Sequence, residues 1–195
     1  MEEGVIKFRC EHIVSTALPD DFLSDLKHFR QLLYMQKLIG VDGNEIGYGN
    51  ISQRYNDTDQ FIISGTQTGH LPELSSSHFT KVEAFNIANN WLKCCGPIKA
   101  SSESLTHAAL YISNKNINAV IHIHHEKTWQ KYIHKLPTTT ANISYGSPEM
   151  ACAISNLALH NPKQKVIIMS GHKDGIIAFG ESLQIAYNEL MKIIS

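Results

Sequence analysis

The sequence has no run of lysines or arginines long enough to form a basic stripe, and its 17 basic and 18 acidic residues leave a formal net charge of -1. It therefore lacks the electrostatic footprint of a protein that grips nucleic acid or an anionic membrane, and neither is expected as a partner. No stretch approaches the ~20 consecutive apolar residues of a membrane-spanning helix. The opening Met-Glu-Glu-Gly lacks the basic and apolar regions of a secretory signal, which predicts a cytoplasmic protein. Cysteine is scarce: Cys10, Cys94, Cys95 and Cys152 match no common zinc framework, and adjacent cysteines rarely bridge each other. They are expected to be free thiols, mostly buried, as in a reducing compartment. Repeats, linkers and low-complexity tracts are missing as well. So are a Walker loop and a dinucleotide fingerprint, so no nucleotide cofactor is expected.

What remains is an ordinary globular composition, 43% hydrophobic and 18% charged, in a chain long enough for one domain over residues 1–195. Val5 to Val14 alternates weakly and reads as a leading strand. Asp20-Asp21 opens a helical spacing of Phe22, Leu26, Phe29, Leu32, Leu33 and Leu38 that ends at Gly40. Gln60 to Ser64 is rich in strand formers. Val82 to Ile87 and Trp91 to Cys95 flank Ala88-Asn89-Asn90 as a hairpin. Helices are expected from Ala100 through Tyr111, over Glu126 to Leu136, over Pro148 to Leu159 with proline in the first turn, and over Leu183 to Ile194. Strands are expected over Asn118 to His124, Val166 to Met169 and Gly175 to Phe179. Several connections are too short for crossovers, which predicts an α/β domain with a largely antiparallel sheet.

The most specific local feature is Ala119-Val120-Ile121-His122-Ile123-His124-His125. Residues two apart on a strand share a face, so His122 and His124 would project together, as two imidazole ligands for zinc or a similar ion. The same pair could merely line a polar cleft. His125 would point the other way or start the loop. A catalytic site with one open position needs a third ligand. His172, in the glycine-flanked loop after Val166 to Met169, is the leading candidate, and Asp174 competes with it. Glu103 is the candidate acid/base, at a helix start where the dipole favours its ionised form. Ser101-Ser102-Glu103 is equally an ordinary capping sequence, or its serines and free amides could hold an anion such as phosphate. His107, four residues on, shares the helix face of Glu103; it could support the site from behind, or be simply a buried, hydrogen-bonded histidine, the reading slightly favoured. Gly47 to Ser52 and Ser64 to Gly69 are further loops suited to anions, although such loops are usually plain turns.

Taken in order, these segments resemble the class II aldolase/adducin family. The resemblance rests on Gly49-Asn50-Ile51-Ser52, Ser64 to Gly69, Ser101-Ser102-Glu103 with His107 and Tyr111, and Ala119 to His124. It continues through Tyr145 to Ala151 and Gly175 to Gly180, so that it spans roughly residues 20–195. It implies a three-layer α/β/α domain around a mostly antiparallel sheet, forming a homotetramer. It also implies Zn2+, or Mn2+ or Co2+ in its place, on His122, His124 and a third histidine. Glu103 would shuttle protons, and Asn50, Thr68, Gly69, Ser101 and Ser102 would grip phosphate. The implied activity is that of an aldolase or related lyase acting on a small phosphorylated sugar through a metal-stabilised enediolate. An epimerase or dehydratase on the same site, or a non-enzymatic adducin-like module, is the alternative. Tyr145 would be a proton donor to a neighbouring subunit's substrate. Asp174 stands where the family usually has histidine, and Lys173-Asp174 reads as an insertion that leaves His172 at the ligand position. Residues 1–19 have no clear counterpart.

Overall fold

The computed structural model describes residues 5–194, so the Met-Glu-Glu-Gly start and Ser195 lie outside it. In chain order the elements are β1 (Arg9–Val14), α1 (Ser24–Met35), β2 (Gly40–Val41), β3 (Gly47–Tyr48), β4 (Asn50–Arg54), β5 (Phe61–Ser64), β6 (Phe79–Asn86) and β7 (Trp91–Gly96). They continue with α2 (Ser104–Ser113), β8 (Ala119–His124), α3 (Glu126–Tyr132), α4 (Pro148–His160), β9 (Val166–Ile168), β10 (Gly175–Gly180) and α5 (Leu183–Met191). Eight strands form one sheet in the order β1-β7-β6-β5-β4-β8-β10-β9, while β2 and β3 form a separate ribbon. Within the large sheet β1 and β7 run parallel, and every other neighbouring pair is antiparallel.

The sheet is covered on both faces, giving the expected three layers. On one face Leu105 and Ala108 of α2 and Met150 and Ile154 of α4 pack against Phe61, Val120 and Ile177. On the other, Leu26, Phe29 and Leu33 of α1 and Leu183, Ala186 and Leu190 of α5 pack against Ile51, Ile121 and Ile176. Burial on both sides explains why β8 and β10 read as apolar runs rather than as an alternating pattern. The period of two still operates inside them. Val120 faces the α2–α4 layer while Ile121 and Ile123 face the α1–α5 layer. His122 and His124 therefore share the α2 side of the sheet.

Three expectations need correction. The first helix does not run to Gly40: a 3-10 turn at Asp20–Phe22 precedes α1, and Lys37 adopts a left-handed φ of 59° just after it. The Leu38 amide then donates to the Leu33 carbonyl at 2.9 Å, a Schellman-type closure with lysine where glycine is usual. The helix from Glu126 stops at Tyr132, because His134 turns left-handed (φ 64°) and its amide is taken by the Thr138 hydroxyl. The four cysteines are free thiols, but Cys94 alone is buried; Cys10 and Cys95 are half-buried and Cys152 is exposed. No helix among the described residues is long and apolar enough to cross a membrane.

Candidate metal centre and active-site cleft

One end of β8 forms the floor of the site. Asn50 of β4 lies opposite His122, and Gly175 of β10 lies opposite His124. The ring of His122, 1% exposed, contacts the Ile176 carbonyl oxygen through Nδ1 at 3.1 Å. A carbonyl can only accept, so Nδ1 donates to it and Nε2 is the ring nitrogen left to face the cleft. Gly49 leads into this floor with φ +78°, and a Cβ there would stand 2.7 Å from Ile39 Cγ1 and 3.1 Å from the His122 carbonyl oxygen.

His172 arrives from the β9–β10 connection. Its amide donates to the Met169 carbonyl and its carbonyl accepts from Gly175, which folds the loop into a tight turn. The ring nitrogens of His122, His124 and His172 approach one another so that one from each lies within 4.8 Å of the others, an arrangement able to hold a metal ion. Asp174 is not part of that cluster. It takes a left-handed φ of 63° and accepts the His125 amide through its carbonyl at 2.9 Å. Of the two competing residues, the histidine is the one that meets His122 and His124. His125 caps α3, with its Nδ1 2.7 Å from the Thr128 hydroxyl and away from the cluster.

Glu103 sits just before α2, but its side chain makes no capping hydrogen bond. The helix start is closed instead by Ser104, whose amide and hydroxyl both donate to the Ser101 carbonyl. The capping reading of Ser101-Ser102-Glu103 therefore does not describe the glutamate. Its carboxylate, 4% exposed, lies 2.7 Å from His122 Nε2 and 3.2 Å from His172 Nδ1. Asn50 Nδ2 donates to the same carboxylate at 3.3 Å. Burial opposes its charge, yet the adjacent His122 and His172 hold the Glu103 carboxyl well below the usual carboxylate range. Burial, reinforced by His172 and His122, pushes His124 well below the usual imidazole value, so it stays neutral and able to ligate. With Nδ1 committed to the Ile176 carbonyl, the 2.7 Å contact of Nε2 with the carboxylate is attractive only with a positive charge between or on the two groups. A cation between them, or a proton on the ring, supplies that charge, so the donor set fits a bound divalent ion.

The cleft, ≈ 400 Å³ including its open mouth, is lined by Asn50, Thr68, Gly69, Ser101, Ser102, Glu103, His122, His124 and His172. Every site residue expected from the sequence faces this one cleft. Gly69 packs so tightly against the β2–β3 ribbon that a Cβ would fall 2.1 Å from the Gly40 carbonyl oxygen. The Thr68 hydroxyl donates to the Gly65 carbonyl at 2.9 Å, which helps fix the loop.

Sequence reading missed one contributor outright. Arg30 of α1 is 2% exposed, and its guanidinium donates to the carbonyls of Thr68 (2.9 Å), Leu71 (2.5 Å) and Pro72 (3.0 Å). Burial pushes its pKa down to about 10. Because C=O and the following N–H of a trans peptide point oppositely, binding the Thr68 carbonyl turns the Gly69 amide away from Arg30. A basic residue at the polar-looking edge of an amphipathic pattern carries no local sign of this role. Tyr48 and Gln67 also line the cleft. Tyr145 stacks on His172 of its own chain, with ring centroids 4.6 Å apart.

Comparison with solved structures finds the same fold at low identity. L-fuculose 1-phosphate aldolase superposes with a TM-score of 0.68 at 17% identity, covering 91% of this chain and 83% of that one. A sugar-phosphate aldolase from Thermotoga maritima gives 0.67 at 15%, covering 89% and 90%. YgbL from Escherichia coli, described as a candidate aldolase/epimerase/decarboxylase, gives 0.66 at 20%, covering 89% and 84%. Comparison with curated protein sequences gives no match. Residues 31–193, most of the chain, match the model of the Class II Aldolase and Adducin N-terminal domain. With that match laid over the sheet and cleft just described, the chain belongs to the class II aldolase and adducin N-terminal domain family.

Proposed function

We propose that the protein is a divalent-metal-dependent lyase of the aldolase type, acting on a small phosphorylated sugar. The observation that carries this reading is the buried Glu103 carboxylate set against His122 and His172, two members of the three-histidine cluster. His122, His124 and His172 would hold the ion, and three imidazole donors suit zinc, with Mn2+ or Co2+ as substitutes. The ion, when bound, supplies Lewis acidity toward a carbonyl and its neighbouring hydroxyl.

The remaining chemistry belongs to the chain. Glu103 takes and returns a proton at the reacting carbon or oxygen, and Asn50 keeps its carboxylate aimed into the cleft. The Gly69 amide and the hydroxyls of Ser101 and Ser102, with Asn50 and Thr68 beside them, receive the phosphate and hold the substrate in one orientation remote from the breaking bond. The adducin-like alternative, an interaction module without chemistry, is disfavoured by a complete donor set around an acid/base group. We further read the chain as one catalytic domain, cytoplasmic and assembled as a homotetramer in keeping with its family.

The test is metal analysis of the purified protein together with an activity panel of small sugar phosphates, read for carbon–carbon cleavage, epimerisation and loss of water. Metal at one equivalent per chain with cleavage of a phosphorylated substrate is expected. Protein without metal affinity, or turnover indifferent to chelation, would overturn the proposal. Epimerisation or dehydration in place of cleavage would keep the site and change the reaction.

A further inference from the structure

The N-terminal segment lies before the family-matched residues, and one of its side chains reaches the wall of the metal centre. Lys7 Nζ stands 3.4 Å from the centroid of the Tyr145 ring and donates to the Tyr145 carbonyl oxygen at 2.9 Å. His172 stacks on the same ring with centroids 4.6 Å apart and 25° between the planes. Tyr145 therefore carries both groups on its ring, the ammonium over it and the imidazole stacked on it, and is held by Lys7 at its ring and at its carbonyl.

Lys7 is itself held. Its carbonyl accepts from Asn90 Nδ2 at 2.9 Å, and the Arg9 amide donates to the Asn90 carbonyl at 2.9 Å, tying the approach to β1 onto the β6–β7 turn. The next residue after the tyrosine, Gly146, has φ +66° and passes between Ser102 and Lys7. A Cβ there would lie 3.2 Å from the Ser102 carbonyl oxygen and 3.7 Å from Lys7 Cδ. The loop carrying Tyr145 is therefore gripped by the segment leading into β1 on one side and by the turn before α2 on the other.

We propose that Lys7 is a positioning residue of the candidate metal centre, holding Tyr145 so that His172 presents a fixed ring to His122 and His124. The inference rests on the reading that these three histidines hold a divalent ion. Of the three, His172 alone comes from a loop; His122 and His124 are fixed by the central strand β8. An ion captured by a mobile ligand must pay for ordering it, and a stacked ring held by a cation removes part of that cost in advance. Partners outside the ligand set commonly change metal affinity tenfold or more.

The experiment is Co2+ titration of metal-free protein, followed by visible absorption and by competition with a chelator. Lys7→Met keeps the apolar stem and removes the ammonium; it is expected to bind Co2+ about tenfold more weakly and to shift the visible band. Lys7→Arg keeps a cation over the ring and should restore most of the loss. In a Tyr145→Ala background, Lys7→Met should cost nothing further, because the relay is already cut. Melting temperatures of the metal-free forms separate positioning from folding: a Lys7→Met defect confined to melting would overturn the proposal. Unchanged affinity and spectrum in Lys7→Met would also overturn it and leave the metal centre standing. A wild-type protein that binds no Co2+ would instead sink the metal reading, and this inference with it.

Discussion

His107 and His122 are buried to the same degree, 0% and 1% exposed, on the same side of the same sheet, yet their ring nitrogens face different company. His107 Nδ1 meets the Ser52 hydroxyl at 2.7 Å, and that hydroxyl meets the Tyr111 hydroxyl at 2.7 Å, a short network enclosed in the core. Burial pushes the His107 pKa down to about 3 and the Tyr111 phenol up, so both stay neutral and act as packing groups with a polar edge. His122 spends Nδ1 on a backbone carbonyl and turns Nε2 toward Glu103, in a cleft shared with His124 and His172. Burial of a histidine does not distinguish a ligand from a core residue. What distinguishes it is whether the remaining nitrogen converges with others on a common open point.

Single substitutions can break this comparison. His122→Ala is expected to abolish metal binding and to lower turnover by about 10³-fold or more, the scale of several kcal/mol of Lewis-acid stabilisation. Metal analysis and kcat/KM check this, and retained metal with normal turnover would erase the distinction between the two histidines. Glu103→Gln should keep the metal and lower kcat by about 10²-fold or more, as for loss of a general acid/base. A larger effect on KM than on kcat would move Glu103 from chemistry to binding.

His107→Ala should show the opposite profile. Thermal or urea unfolding is expected to reveal a loss of about 2–4 kcal/mol from the cavity and the Ser52 hydrogen bond lost with the ring, with Co2+ affinity unchanged. A further effect of the same residue is confined to acid and is read as a slope. The folded state keeps His107 neutral down to about 3, while an unfolded imidazole protonates near its ordinary 6.5. The unfolded chain therefore binds the extra proton between those values, and stability falls as pH drops through that window, by up to about 1.4 kcal/mol per pH unit from this residue. Above about 6.5 it contributes no slope. Replacing His107 with Gln should flatten the acid limb of a stability-versus-pH curve; an unaltered limb would mean that the ring titrates normally.

The elements themselves were largely readable because each is governed by short-range rules. The Phe79–Asn86 and Trp91–Gly96 hairpin follows from strand formers on either side of Ala88-Asn89-Asn90. Pro148 lies in the first turn of α4, where Ser147 caps the Met150 amide. Helix ends were less legible. Lys37 and His134 accept left-handed conformations that sequence signals assign to glycine or asparagine, and the neighbouring hydrogen bonds outweigh that preference.

In the site, the His122/His124 pair came directly from the period of two in a strand. The choice between His172 and Asp174 did not, since both are polar residues in the same glycine-flanked loop. The tight turn from Met169 to Gly175 decides it, by placing the His172 ring over the cleft and leaving Asp174 outside the cluster. Likewise the short motif Ser101-Ser102-Glu103 reads equally as cap or as site. The Glu103 carboxylate lies against His122 and His172, while its backbone carbonyl takes the Thr106 and His107 amides at the helix start.

Sequence by itself determined which residues lie two apart on one strand face, which segments become helices, and the ordered motifs that mark the family. Those properties depend on neighbours along the chain. Tertiary structure alone decided that His172 completes the cluster, that Arg30 holds the Thr68 loop from beneath, and that Lys7 reaches Tyr145 across the fold. Each of these joins residues distant in sequence, and only the packing of two helical layers on one sheet sets the distances between them.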